Sequence, residues 1–138
     1  MKRTILPGLL AGALMLAASL VFSQLLDLIF PSLPAEYQNA SLFRPWSDPL
    51  MSLYFLYPFV LAMLLSWLWG KTKPIVKGEK AWPRAWNFTL AYWLIASLPG
   101  MLITYSSFPV SLPMVVSWSI GGFLQILIAG LVFARLNK

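Results

Sequence analysis

At 138 residues the chain has room for one domain, and 59% hydrophobic against 10% charged residues sets it far from the roughly 25% charged composition of a soluble globular domain. The absence of cysteine and histidine excludes disulfides, thiolate chemistry, thiolate or imidazole metal sites and the usual general base near neutral pH. A formal charge of +6 would suit nucleic acid, anionic lipid or membrane topology, and the placement of the charges decides for topology.

Lys2 and Arg3 precede the first apolar run, Ile5 to about Phe30, which exceeds the roughly 20 helical residues needed to cross a hydrocarbon core of about 30 Å. This start also resembles a secretion signal, with Val21 and Ser23 in place for cleavage. Leu25, Leu26, Leu28, Ile29 and Phe30 prolong the run beyond that point, so an uncleaved span is expected. Gly8 and Gly12 form a G-x-x-x-G pair that allows close helix approach, first within the subunit and otherwise in a dimer seam. Ser19, Ser23 and Asp27 continue at four-residue steps. Counting from Ile5 puts Asp27 at the outer headgroup level, where it is expected to be solvated or paired with Arg44, a functional carboxylate being the alternative.

The longest connection, Pro31 to Pro49, carries four prolines around Glu36-Tyr37-Gln38-Asn39 and reads as an ordered extended or turn-rich cap. Asn39-Ala40-Ser41 matches a glycosylation acceptor, relevant only to a eukaryotic secretory route that nothing else indicates. A second span is predicted from Leu50 to Trp69, interrupted by Pro58. The loop from Lys71 to Arg84 holds five basic residues and one acid, Glu79. It sets orientation and could attract anionic headgroups, while Pro74, Gly78 and Pro83 preclude a basic amphipathic helix.

The third span is predicted from Trp86 to Tyr105, with Pro99-Gly100 inside it. An uncharged turn, Ser106 to Pro109, leads to the fourth, about Leu112 to Ala134, followed by Arg135 and Lys138. On that last helix Ser117, Gly121, Gln125 and Ala129 repeat every four residues. Gln125 falls near mid-membrane, where an amide facing lipid costs several kcal/mol, so it is expected to point inward toward Ser97 or Ser19. The packing candidates are therefore Gly8, Gly12, Ser97, Gly121 and Gln125.

Cytoplasmic loops carry the Lys/Arg excess, so both termini and the Lys71 to Arg84 loop are expected inside the plasma (cytoplasmic, or inner) membrane. Pro31 to Pro49 and Ser106 to Pro109 then lie outside, with Arg44 the single external basic residue. Trp67, Trp69, Trp82 and Trp86 bracket the basic loop as interfacial aromatics, while Trp46 and Tyr105 mark the other boundary. Trp93 and Trp118 sit deeper, where each indole N–H needs a partner. With short connections, the expected fold is an all-α membrane protein: one domain over 1–138, four transmembrane helices in an antiparallel up-down-up-down bundle.

The sequence contains no phosphate-cradling loop, carboxylate pair, nucleophile elbow or metal-ligand cluster, and neither an enzyme nor a cofactor is expected. It lacks both the deep first-helix glutamate of small four-span multidrug exporters and the cysteine pairs of membrane disulfide-forming bundles. The leading expectation is an accessory, scaffold or oligomerising subunit whose partners are the lipid bilayer and a second copy or larger membrane complex, with no nucleic acid. The alternative is a small transporter or ligand- or lipid-binding protein; a lipid-modifying enzyme comes third. For the alternative, Pro58 and Pro99 free backbone carbonyls of Tyr54 and Ile95 in the outer half. A pocket there would draw on Ser23, Asp27, Arg44, Tyr54, Tyr57 and Tyr105.

Overall fold

A backbone surrounded by hydrocarbon must satisfy its hydrogen bonds within its own segment or in a closed barrel, and here every long apolar run is helical. The computed structural model describes residues 2–137, with side chains from Thr4 onward. Among these residues six α-helices form: α1 (Lys2–Ile29), α2 (Leu33–Tyr37), α3 (Leu53–Thr72), α4 (Ala81–Tyr92), α5 (Leu98–Ser107) and α6 (Leu112–Leu136). A 3₁₀ turn, Pro49–Ser52, leads into α3, and a π-helical turn, Trp93–Ser97, joins α4 to α5. Four of the resulting rods are long and apolar enough to cross a membrane: Thr4–Ile29, Pro49–Thr72, Ala81–Ser107 and Leu112–Leu136. The protein is an all-helical membrane protein built as a four-helix bundle.

Local chemistry sets the boundaries. Ser111 Oγ accepts from the Met114 N–H at 3.3 Å, and Pro113 stands in the same first turn of α6, where a missing N–H is harmless. Asp48 Oδ1 accepts from the Leu50 N–H at 2.9 Å and starts the 3₁₀ turn. The third rod begins at Ala81, five residues before Trp86, because Pro83 lies in its first turn among N–H groups that have no intrahelical acceptor. Pro58 does not end α3. Ahead of Pro99 the helix widens instead of breaking, with the Leu98 N–H reaching back to Trp93 O, so the turn preceding the proline absorbs its missing donor. The segment between the first two rods is partly helical: α2 buries Leu33, and Asn39 Oδ1 accepts from the Ser41 N–H and hydroxyl in an Asx turn.

Packing is uneven around the bundle. α1 lies against both α3 and α6, and α6 also lies against α4, whereas the backbones of α3 and the α4–α5 rod stay apart and meet through side chains such as Trp69 and Phe88. The α1–α6 pair is thus flanked by two rods with a seam between them. Small residues bring the backbones together where contact is close: a Cβ on Gly12 would stand 2.9 Å from the Phe59 Cα, one on Gly8 3.3 Å from the Met63 Cα, and one on Gly130 3.3 Å from the Ala85 Cα. The G-x-x-x-G pair therefore serves the α1–α3 contact inside the subunit.

The core sits toward the end that carries the 71–84 loop, called the basic end below. Trp69 is its centre, 0% exposed, with ring centroids 5.2 Å from Phe88 and 6.2 Å from Phe133. Its indole donates to Asn137 O at 2.9 Å, and the Arg84 guanidinium lies 5.1 Å above its ring. This corrects the expectation of an interfacial Trp69, since an indole with a carbonyl partner and ring neighbours is stable in the interior. Trp67, Trp82 and Trp86 are exposed. Further bonds join all four rods at this end: Ser66 Oγ donates to Thr4 O (2.8 Å), Lys73 Nζ to Asn137 Oδ1 (3.0 Å), and Arg84 to Lys73 O (3.0 Å). The start of α1, end of α3, start of α4 and end of α6 lie together, as an up-down-up-down bundle requires.

Candidate functional site

At the opposite end the rods part around a cavity of about 500 Å³. α1 contributes Ser19, Phe22 and Ser23, α3 contributes Tyr54 and Tyr57, the π turn Ser97, and α6 Ser117, Ser119, Gly122 and Gln125. Among the described residues no Asp, Glu, Lys or Arg lines it. The floor is fixed by Gln125, whose Nε2 donates to Ser19 Oγ at 2.6 Å while the Ser19 hydroxyl donates to Met15 O at 2.7 Å. One chain of bonds thus links α6 to α1 at mid-span, contributing about 0.6 to 2 kcal/mol.

An aromatic and polar lid adjoins the cavity. Trp118 Nε1 donates to the Tyr37 hydroxyl at 2.6 Å, and Ser111 Oγ donates to Glu36 Oε1 at 2.8 Å, tying α2 to α6. Phe43 packs against both Tyr37 and Trp118, at 5.3 and 6.2 Å between centroids. Partial burial pushes the Tyr37 phenol above its ordinary value, so it stays protonated at neutral pH. Deeper down, Trp93 Nε1 donates to Ser119 O at 3.1 Å. Both deep indoles therefore have partners.

Two features separate this cavity from ordinary loose packing. Among the described residues no intramolecular hydrogen bond engages the side-chain hydroxyls of Tyr54, Tyr57, Ser97 or Ser119, although hydroxyls within a membrane normally bond to their own helix or a neighbour. Gly100 and Gly122 also line the space, and a Cβ on either would meet nothing within 4 Å. A glycine inside a helix costs up to about 1 kcal/mol relative to alanine. Neither residue repays that cost through close backbone contact, unlike Gly12; both keep volume open.

The sequence-predicted residues distribute as follows. Ser23, Tyr54 and Tyr57 line the cavity, whereas Asp27, Arg44 and Tyr105 do not. Arg44 pairs with Asp48 at 2.7 Å, four residues along its own loop, and not with Asp27; the short i,i+4 reach wins over a contact between separate elements. That pair, with the Leu50 N–H, holds the Asp48 carboxyl below its usual range. Ser97, Gly121 and Gln125, singled out for packing, stand on the cavity wall, and Ser97 is not the partner of Gln125. Sequence reasoning put Ser117 on one face with Gly121 and Gln125 but missed Tyr37, Ser119 and Gly122 as cavity residues. Tyr37 falls in a connection whose short helix the sequence did not reveal, and the other two needed the rotation of α6 to place them.

A second concavity, about 600 Å³, follows the seam between α3 and α4 at the basic end. Among the described residues there is no group of three or more Asp or Glu able to hold a metal ion. Comparison of the chain with known protein families, curated proteins and solved structures finds no match.

Proposed function

We propose that this small multi-pass membrane protein binds an uncharged molecule with a hydrogen-bonding polar part and an apolar part in the cavity opposite its basic end. The supporting observation is that Tyr54, Tyr57, Ser97 and Ser119, whose hydroxyls have no partner among the described residues, line one space that Gly100 and Gly122 also border. Binding sites usually combine apolar walls with a few convergent polar groups, and Phe22, Leu26, Met101 and Ile128 supply the walls. Absence of lining charge favours a neutral ligand, because an ion there would be desolvated without a counter-charge. The reading is of a binder or small transporter, without covalent chemistry. In it both termini and the basic loop are cytoplasmic, and the cavity belongs to the outer half.

Native mass spectrometry of the full chain in mild detergent tests this, with Gly122→Phe as the variant that fills the cavity. The wild type should carry a bound uncharged small molecule or neutral lipid that the variant lacks at unchanged helicity. Equal retention by both would remove the basis for the reading. A second reading, as a subunit of a larger membrane assembly, draws on the open seam between α3 and the α4–α5 rod, which a partner helix could close. Stoichiometric co-purification of another polypeptide would favour it.

A further inference from the structure

The concavity at the basic end differs in kind from the polar cavity. Leu68 and Thr72 of α3 form one wall, Phe88, Ala91, Tyr92 and Ile95 the other, and Ile75, Val76 and Lys77 close the loop end. The walls are largely apolar, with Tyr92 the one polar side chain farther along them and Thr72, Lys77 and Asn87 at the loop end. There the Asn87 side chain donates to Lys77 O at 2.9 Å, which fixes the loop backbone at the mouth, while no acid pairs with the Lys77 ammonium among the described residues. Ile95, 78% exposed, stands at the other extremity.

The dimensions suit one leaflet. Asn87 to Ile95 spans about 12 Å at 1.5 Å per residue, and Ile95 lies at the middle of the Ala81–Ser107 rod. The groove therefore runs from headgroup level to mid-span, close to half of a hydrocarbon core of about 30 Å. The charges at its mouth are also sorted. Lys73 bonds Asn137, and Arg84 bonds Lys73 O and covers Trp69, so these two cations are engaged in holding the end together. Lys71, Lys77 and Lys80 are exposed, with Glu79 the single acid in the loop.

We propose that the α3–α4 groove is a site for an anionic glycerophospholipid, with one acyl chain lying between Leu68 and Ala91 and the phosphate held by Lys77 at the mouth. Basic pockets between membrane helices recognise lipid phosphates by this combination of fixed cation and apolar cleft. The site is separate from the neutral cavity and does not depend on it. In this arrangement a lipid chain covers the seam that the protein itself leaves open.

The test uses the full chain in nanodiscs containing equal phosphatidylglycerol and phosphatidylcholine, followed by release into detergent and native mass spectrometry. The wild type should retain one phosphatidylglycerol at least tenfold over phosphatidylcholine, undiminished by added inorganic phosphate. Lys77→Gln should abolish the preference, Lys71→Gln should keep it, and Ala91→Trp should lose the lipid altogether. A phosphatidylglycerol with a photoreactive acyl chain supplies a measurement on the unaltered protein: adducts should concentrate on Leu68, Ala91 and Ile95. Equal retention of both lipids by the wild type, displacement by phosphate, or adducts spread evenly over all four rods would overturn the proposal. Gly122→Phe should leave this lipid bound, which separates failure here from failure of the neutral cavity.

Discussion

The two ends of the bundle are built from the same four rods and reach opposite results. At the basic end, small residues let backbones approach and Trp69, Phe88 and Phe133 close the bundle interior, with Trp69, Ser66 and Thr89 all 0% exposed, while the α3–α4 groove stays on the outer flank. At the other end the glycines Gly100 and Gly122 face open space, and among the described residues the hydroxyls of Tyr54, Tyr57, Ser97 and Ser119 go unpaired within the protein. Glycine thus has two uses in one molecule: Gly8, Gly12 and Gly130 admit a neighbouring backbone, whereas Gly100 and Gly122 border open space, as does Gly70 at the end of α3. Closure of one end concentrates stability there and leaves the other free to be shaped for a ligand.

If the closed end carries the stability, Trp69→Ala should produce the largest loss, about 3 to 5 kcal/mol, read by thermal or denaturant unfolding in detergent. A cost below about 1 kcal/mol would show that the aromatic plug is not the core. Next comes the contrast between glycines. Gly12→Leu should cost about 1 to 3 kcal/mol through overpacking against Phe59, whereas Gly122→Ala should be neutral or stabilise by up to about 1 kcal/mol from helix propensity. Similar losses at both positions would erase the distinction between the ends.

Between the ends, Gln125→Leu should still insert and lose at most about 2 kcal/mol, since an interhelical hydrogen bond in a membrane is modest. A larger loss would mean that the Ser19–Gln125 pair organises the cavity floor beyond its own bond. The smallest effect is a pH dependence at the open end. Asp48 has a depressed carboxyl, so the contribution of its ion pair and 3₁₀ cap is present above the ordinary aspartate range and fades as pH falls through the lower folded value. Asp48→Asn should flatten this acid limb, measured by the resonances of Leu50 on titration; an unchanged limb would assign it to another acid.

The rods were legible in the sequence because hydrophobic length and loop charge are one-dimensional properties. Ile5 to Phe30 and Leu112 to Ala134 nearly coincide with α1 and α6, and the Gln125 to Ser19 bond was among the expected pairs. What depended on rotation and on contacts between elements was not legible. Trp69 reads as interfacial until Asn137 is brought back to meet it 68 positions later, and Arg44 has two acids in reach by composition but one by geometry. Pro99 signalled a bend or a break, and the helix answers with a π turn, which costs the backbone less than an interrupted helix in an apolar medium. The cavity was anticipated from Ser23, Tyr54 and Tyr57, while its glycines could not be told from the packing glycines by spacing alone.

Because the chain has no cysteine, the contrast between a sealed and an open end can be measured directly with single-cysteine variants in proteoliposomes. Ser97→Cys and Ser66→Cys place a thiol on the cavity wall and in the closed core, respectively. With a water-soluble maleimide applied to both faces, Ser97→Cys should react at least tenfold faster than Ser66→Cys, which should react only on unfolding. Equal rates, or faster modification at residue 66, would contradict the division of this bundle into a closed end and an open one.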